Sequence, residues 1–149
     1  MSFWIVMAVC MGCNPTEPAS PDSIAELESK AFVGDTIQHH IRQKLMVQYA
    51  EFALTYPHDE FAPEALMRRA DLLISAGKFE HAVLQLQDLH DGYPNYEKRA
   101  LSAFLVAFVY DTHLHDLDLA KRAYERVTSL YPGTPEATMA EQSLALLPK

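Results

Sequence analysis

The chain has 149 residues, a formal net charge of −8 at pH 7 and a hydrophobic content of 49%. This length and composition are typical of one globular domain with a core of its own, and they exclude a disordered chain. The negative charge opposes binding to phosphate backbones and to anionic lipid head groups, because like charges repel. We therefore predict no nucleic-acid partner.

The N-terminal residues predict export. The apolar run from Phe3 to Met11 is far shorter than the ~20 residues that span a bilayer. A short apolar segment followed by a small residue is typical of a secretion signal, so we predict a signal peptide over residues 1–12. No Lys or Arg precedes the run, which leaves open a true start upstream of Met1. The alternative is an apolar N-terminus on a cytosolic protein.

Gly12-Cys13 resembles the end of a lipobox, the motif after which a cysteine is lipidated and becomes the new N-terminus. Cys10 stands where Leu is usual in that motif. Cleavage before Cys13 would leave no second thiol for a disulfide, and a Cys10–Cys13 disulfide is the alternative. Residues 13–22 are rich in proline and predict an extended tether. The folded domain is then expected over residues 23–149.

The rest of the chain has helical patterns in every segment. A short amphipathic segment around Ile24 and Leu27 is expected to cap the first repeat, and Asp35 or Thr36 is expected to N-cap a long helix that ends near Tyr56. Further helices are predicted over residues 62–76, 79–92, 96–112, 117–131 and 135–147, with Pro63 at a first helical position. No segment alternates like a strand, so the predicted fold class is all-α.

Three helix stops recur at a nearly constant interval. They are the pairs Tyr56-Pro57, Tyr93-Pro94 and Tyr131-Pro132, and the intervals between them are 37 and 38 residues. Proline ends a helix because it lacks an N–H donor and pushes the preceding residue out of the α region. A fixed period of this length predicts stacked copies of one helical unit.

Apolar residues occupy equal offsets in each copy. Twelve, eight and five residues before the proline stand Leu45, Tyr49 and Phe52, then Ala82, Leu86 and Leu89, then Ala120, Tyr124 and Val127. These steps of four and three residues place the side chains on one face of a helix. Small residues recur upstream at Ala70, Ala107 and Ala145, where we expect two helices to approach closely.

These offsets resemble the tetratricopeptide repeat. The matching stretches run from Ala65 to Pro94 and from Ala103 to Pro132, although the second lacks the turn glycine and has one inserted residue. Half-repeats, Leu45 to Pro57 and Pro135 to Leu147, flank them. The resemblance implies a short α-solenoid of antiparallel helix pairs, with two full repeats between half-repeats. Long units that end in Tyr-Pro are similar to those of bacterial envelope lipoproteins, such as the helical-repeat lipoprotein of the β-barrel assembly machinery.

The resemblance also implies a binding face, because the first helix of each such repeat lines the concave side. By this register the exposed positions are Met67, Asp71 and Ile74 in one repeat and Leu101, Phe104, Phe108 and Asp111 in the next. Three of the latter are large and apolar and form one stripe, which marks a partner site if it is exposed. The alternative is that neighbouring helices over residues 36–55 or 135–147 cover the stripe as core.

Catalytic motifs are missing from the sequence. It contains no G-x-S-x-G and no H-E-x-x-H, and its glycines are too isolated for a phosphate-binding loop. We therefore predict neither an enzyme nor a cofactor.

One turn contains candidate ligands of a divalent metal. They are His113 and His115, in a turn with Asp111, Asp116 and Asp118, and the alternative is an ordinary polar turn. His81 and His90 are expected on the wet face of their helix.

The sequence thus predicts a lipoprotein of the bacterial cell envelope, facing the periplasm from the outer membrane. It would be held to the membrane by the lipid on Cys13 and would bind a segment of another envelope protein as an interaction scaffold. The alternative is a small-ligand or metal-binding envelope protein that uses the turn over residues 111–118.

Overall fold

A computed structural model describes residues 19–33 and 36–148 of the chain. The predicted signal peptide, the predicted lipidation site at Cys13 and most of the predicted tether lie outside the described residues, so these remain predictions. Within the described ranges, no helix is both long enough and apolar enough to cross a membrane.

Helices dominate the described part of the chain. In chain order the elements are α1 (Pro21–Ala31), β1 (Phe32–Val33), β2 (Thr36–Ile37), α2 (His39–Thr55), α3 (Phe61–Ser75), α4 (Phe79–Gly92), α5 (Arg99–Val109), a π-helical turn (Tyr110–Leu114), α6 (Leu117–Leu130) and α7 (Pro135–Leu146). The two short strands pair antiparallel, with Phe32 opposite Ile37. The predicted all-α fold class is confirmed, with this strand pair as a local addition.

Each helix packs against the next one along the chain, so the described residues form consecutive helix pairs. α1 lies on α2 and buries Ile24, which is 1% exposed, so the predicted terminal cap is confirmed. One core cluster joins α1, α2 and α3, a second joins α3, α4 and α5, and a third joins α5, α6 and α7. α5 therefore has a packed cluster on each side.

The Tyr-Pro pairs end helices as predicted. α2, α4 and α6 each end at the residue directly before one of the three tyrosines. The backbone N–H of each tyrosine donates to the carbonyl four residues earlier. The residues twelve, eight and five positions before each proline are all buried. They are Leu45, Tyr49, Phe52, Ala82, Leu86, Leu89, Ala120, Tyr124 and Val127. The offsets in the sequence therefore identified the buried face correctly.

The inserted residue of the second repeat is absorbed by the π-helical turn. In the turn after α3, Gly77 has a φ of 71° and the N–H of Lys78 donates to the Leu73 carbonyl. In the corresponding turn after α5, His115 has a φ of 54° and the N–H of Asp116 donates to the Tyr110 carbonyl. A histidine thus adopts the left-handed conformation that glycine adopts in the first repeat.

Several predicted boundaries shift by a few residues. α2 begins at His39 because Thr36 and Ile37 belong to a strand, so Thr36 is not its N-cap, and Asp35 lies outside the described residues. α3 begins at Phe61, which makes Pro63 its third residue. α5 begins at Arg99 because residues 93–98 form turns in which the N–H of Tyr96 donates to the Tyr93 carbonyl.

The expected close approach at Ala145 is wrong. Ala70 and Ala107 are fully buried, whereas Ala145 is exposed and α7 buries Ala137 and Ala140 instead. α7 begins only three residues after its proline, sooner than α3 and α5 begin after theirs. Ala137 and Ala140 nevertheless stand at the same offsets after their proline as the buried Ala62 and Ala65, so the register is kept. Ala145 is exposed because, among the described residues, no helix follows α7 to pack over it.

Candidate binding surface

Five rings from α4, α5, the π-helical turn and α6 form a continuous row. The ring centroids of Tyr124 and Phe104 lie 5.7 Å apart, those of Phe104 and Phe108 lie 6.3 Å apart, and those of Phe108 and His113 lie 6.1 Å apart. The row ends where His113 stacks on Phe79 with centroids 4.3 Å apart and planes 8° from parallel. We call these five residues the aromatic row.

Exposure changes along the aromatic row. Tyr124 is fully buried, Phe104 is half-buried, and Phe108 at the centre is 38% exposed. After Arg99, α5 carries no charged residue, and its one polar residue, Ser102, is fully buried, so the accessible surface of the helix beyond Arg99 comes from apolar residues. The clusters on its two sides cover two flanks of the helix and leave the strip between them open. Phe108 lies on that strip and is open to a partner.

The sequence left open whether Leu101, Phe104 and Phe108 are core or surface. Leu101 is half-buried against the cluster that α5 shares with α3 and α4, and Phe104 is half-buried against the cluster shared with α6 and α7. Phe108 is the exposed member. The stripe is therefore neither wholly core nor wholly surface, and Leu105, which the pattern did not single out, is half-buried beside it.

The prediction that Met67 is exposed is wrong. Met67 is 5% exposed and packs with Ala70, Val83 and Leu86 in the cluster between α3, α4 and α5. Ile74 is half-buried against the same cluster. Met67 is covered because side chains of α4 and α5 join it in this cluster, and the spacing within α3 could not reveal those neighbours.

The open side of α3 is charged. Glu64 accepts hydrogen bonds from Arg68 Nε at 3.1 Å, from the Tyr96 hydroxyl at 2.7 Å and from Lys98 Nζ at 2.8 Å. Burial alone would raise the pKa of Glu64, but the hydrogen bonds from Lys98, Tyr96 and Arg68 outweigh it and lower the pKa to about 2. Arg68 also pairs with Glu28 of α1 at 2.6 Å. This network joins α1, α3 and the turn before α5.

Two carboxylates at predicted partner-binding positions differ in their surroundings. Asp111, in the π-helical turn, accepts a hydrogen bond from the Tyr124 hydroxyl at 3.2 Å and so belongs to the support of the aromatic row. Asp71 is an exposed residue of α3. Its carboxyl group is nevertheless partly desolvated, and this burial, followed by the charge of Glu64, raises the pKa of Asp71.

The candidate metal ligands of the turn over residues 111–118 do not converge on one position. His113 is half-buried and its ring is stacked on Phe79, while His115 is exposed. In the part of the chain that the structure describes, no three His, Cys, Asp or Glu side chains are grouped so that they could hold a metal ion. The two histidines therefore serve the shape of the turn rather than a common ligand position.

The placement of His90 was predicted wrongly, whereas His81 is exposed as expected. His90 is 5% exposed, with Nε2 2.6 Å from the Tyr131 hydroxyl and Nδ1 2.9 Å from Asp91 Oδ1. The hydrogen bond from His90 lowers the pKa of Asp91. His90 stands four residues before its proline, as does the buried Ala53 in the preceding repeat, so the repeat register was the signal that could have located it.

Compared with models of protein families and with the sequences of curated proteins, the chain matches none of them. The assignment of a function therefore depends on the packing and the chemistry of its own residues.

Proposed function

We propose that the chain is a membrane-tethered interaction module of the bacterial cell envelope, built as a short tetratricopeptide-like solenoid. Its concave side would capture a segment of another envelope protein. The observation that carries this proposal is Phe108, a phenyl ring 38% exposed at the centre of the aromatic row. An exposed aromatic ring within an apolar strip is typical of a surface that a partner covers.

The surroundings of Phe108 favour binding of a protein segment. Leu101, Phe104 and Leu105 are half-buried beside it and hold the strip in place, so little conformational freedom is left to lose on binding. Removal of apolar surface from water contributes about 25 cal/mol per Å², which is offset in part by the freedom that the two partners lose on association. Arrays of stacked helix pairs bind partners along such extended faces.

The membrane tether is supported by the sequence alone. Gly12-Cys13 follows a short apolar run and precedes a proline-rich segment. A lipid on Cys13 would hold the domain at the membrane. The net charge of −8 would not do so, because a negative chain is not attracted to anionic lipid head groups. We therefore propose that the lipid fixes the location of the protein and that the exposed strip of α5 around Phe108 selects the partner.

The test is an affinity capture from membranes of the native host, solubilised in mild detergent. The informative bait is Phe108→Glu, because Phe108 is exposed whereas Phe104 supports the core through Tyr124. Leu84→Glu is the matched control, since Leu84 on α4 is 59% exposed and lies outside the aromatic row. Both baits must keep the helical circular dichroism of the wild type.

An envelope protein retained by the wild type and by the Leu84 variant, but lost by the Phe108 variant, would support the proposal. Equal retention by all three baits would show that the aromatic row is not the site. Capture of no envelope protein by the wild type would contradict the scaffold function itself.

A further inference from the structure

The two helical repeats differ in the side chains that fill the space between neighbouring helices. In the first repeat the guanidinium of Arg69, on α3, lies between α2 and α4. Its Nε donates to the Met46 carbonyl at 3.0 Å, and its NH1 donates to the Gln85 side-chain carbonyl. An arginine side chain therefore occupies the space between α2 and α4 and satisfies polar groups on both.

The second repeat has no such side chain at the equivalent place. Val106 stands 37 residues after Arg69, and Ala123 stands 38 residues after Gln85. Both replacements are short and apolar. These short side chains leave a cavity of about 220 Å³ that is bounded by α4, α5 and α6. Its apolar floor includes Ala103 and Leu119.

Guanidinium groups stand instead at the rim of this cavity. Arg122 and Arg126 of α6 line it, and their counterparts 38 residues earlier are Leu84 and Asp88. Arg126 NH2 lies 3.9 Å from Asp91 Oδ1, a loose ion pair. The exposed side chain of Arg122 makes no hydrogen bond and no ion pair with any residue that the structure describes. The rim thus carries more positive than negative charge, on a chain whose net charge is −8.

The inner wall of the cavity is fixed and polar. His90 is 5% exposed there, and its two ring nitrogens lie against Asp91 and the Tyr131 hydroxyl. Arg99 Nε donates to the His90 carbonyl at 2.8 Å and holds this wall from the side of α5. Tyr110, the first residue of the π-helical turn, also lines the cavity. Such turns often occur at functional sites.

We propose that this cavity binds a small organic monocarboxylate with a compact apolar body. The carboxylate would pair with Arg122 and Arg126, for which the planar guanidinium is suited. The apolar body would cover Val106 and Ala123. A volume of about 220 Å³ is below the range of ~300–1,000 Å³ of pockets that hold drug-sized ligands, so the ligand is of fragment size.

Other ligand classes fit the cavity less well. A bare inorganic anion would leave the apolar floor uncovered, and a neutral apolar ligand would make no ion pair with Arg122 or Arg126. A cation would be repelled by the arginine pair. This site lies between α4 and α6 and shares no residue with the aromatic row, so it is independent of the proposed scaffold function.

The test uses the full chain and 4-fluorobenzoate as the probe, observed by fluorine NMR. 4-Fluorobenzamide is the matched neutral probe, because it has nearly the same shape without the charge. Arg122→Gln/Arg126→Gln removes the rim charges, and Lys121→Gln is the control for removal of one charge from the exposed side of the same helix. Val106→Arg/Ala123→Gln rebuilds the Arg69–Gln85 pair and fills the cavity without touching the rim.

We expect saturable binding of 4-fluorobenzoate to the wild type and to Lys121→Gln. We expect the dissociation constant to rise by at least about tenfold in Arg122→Gln/Arg126→Gln, and binding to be lost in Val106→Arg/Ala123→Gln. Affinity for 4-fluorobenzamide equal to that for 4-fluorobenzoate would overturn the role of the arginines. Absence of saturable binding to the wild type, or unchanged binding to the filled-cavity variant, would overturn the site.

Discussion

His90 Nε2 and the Tyr131 hydroxyl lie 2.6 Å apart and join α4 to the end of α6. The tyrosine that precedes the third proline thus reaches back to the helix that ends at the second. Tyr93 behaves similarly, since its half-buried ring packs against the cluster that contains Phe52 and Ala53 of α2. The Tyr-Pro pair therefore does two things in these repeats. Proline ends the helix, and tyrosine fastens that end to the preceding repeat.

Tyr131→Phe is expected to destabilise the fold by about 1–3 kcal/mol, because it leaves the buried His90 Nε2 without a partner. The measurement is the free energy of unfolding in urea. Tyr56→Phe is the control, since Tyr56 is 44% exposed and should change stability by less than ~0.5 kcal/mol. Equal effects of the two substitutions would show that the hydroxyl of Tyr131 contributes no specific contact.

His115→Gly is expected to stabilise the protein. His115 has a φ of 54°, a conformation that costs a residue with a Cβ about 1–2 kcal/mol and glycine almost nothing. Because glycine is also more flexible when unfolded, we expect a net gain of about 0.5–1 kcal/mol. Gly77→Ala, at the corresponding turn with a φ of 71°, should destabilise, and thermal unfolding of both variants checks the pair. A destabilised His115→Gly would contradict the prediction and would show that the left-handed conformation at this position carries no relievable strain.

Stability should fall in acid in a window set by Glu64. Its pKa is lowered from 4.5 to about 2, so the folded state favours the charged carboxylate. The stabilisation is therefore complete above pH 4.5 and is lost as the pH falls towards 2. We expect Glu64→Gln to have a lower melting temperature at neutral pH and a shallower decline through this window. Glu125→Gln, at an exposed position on α6, should keep the wild-type pH profile. A wild-type slope in Glu64→Gln would contradict the prediction.

Neighbouring rings of the aromatic row should differ in their contribution to folding. Phe104 packs on the fully buried Tyr124, so Phe104→Ala should cost about 2 kcal/mol, roughly half the cost of emptying a core site. Phe108 is 38% exposed, and Phe108→Ala should cost less than ~1 kcal/mol. Chemical unfolding of the two variants measures the difference. A reversed order would place Phe108 in the core and remove the main support for the scaffold function.

Cys13→Ser is expected to release the protein from the membrane fraction and to leave the uncleaved signal in place. Wild-type protein should carry an acylated N-terminal Cys13 and should lack the fluorescence of Trp4, the single tryptophan of the chain. Mass spectrometry of the intact protein and a tryptophan emission spectrum are the measurements. Retention of Trp4 in the wild-type protein would disprove cleavage at this site.

The repeat period and the turn chemistry determined much of the fold before any packing was known. The prolines end the helices, and the residues at fixed offsets before them, such as Leu86, Tyr124 and Val127, are buried as predicted. Local rules suffice here because proline and the periodicity of apolar residues act within one helix. The repeat register also gave Phe108 as a candidate surface residue, together with Leu101 and Phe104.

The tertiary structure alone decided which neighbour covers each face. Met67 and Phe104 stand 37 residues apart in the same register, yet Met67 is core and Phe104 is half-buried. Met67 belongs to the cluster of α3, α4 and α5, whereas Phe104 packs against the outside of the cluster of α5, α6 and α7. His90 is polar but buried, because the hydroxyl of Tyr131, in the next repeat, lies within hydrogen-bond distance of its Nε2. The cavity beside Val106 exists only where two helices meet above a short side chain. Helix periodicity indicates which side of a helix is apolar. Which other helix packs against that side depends on contacts between residues distant in the chain.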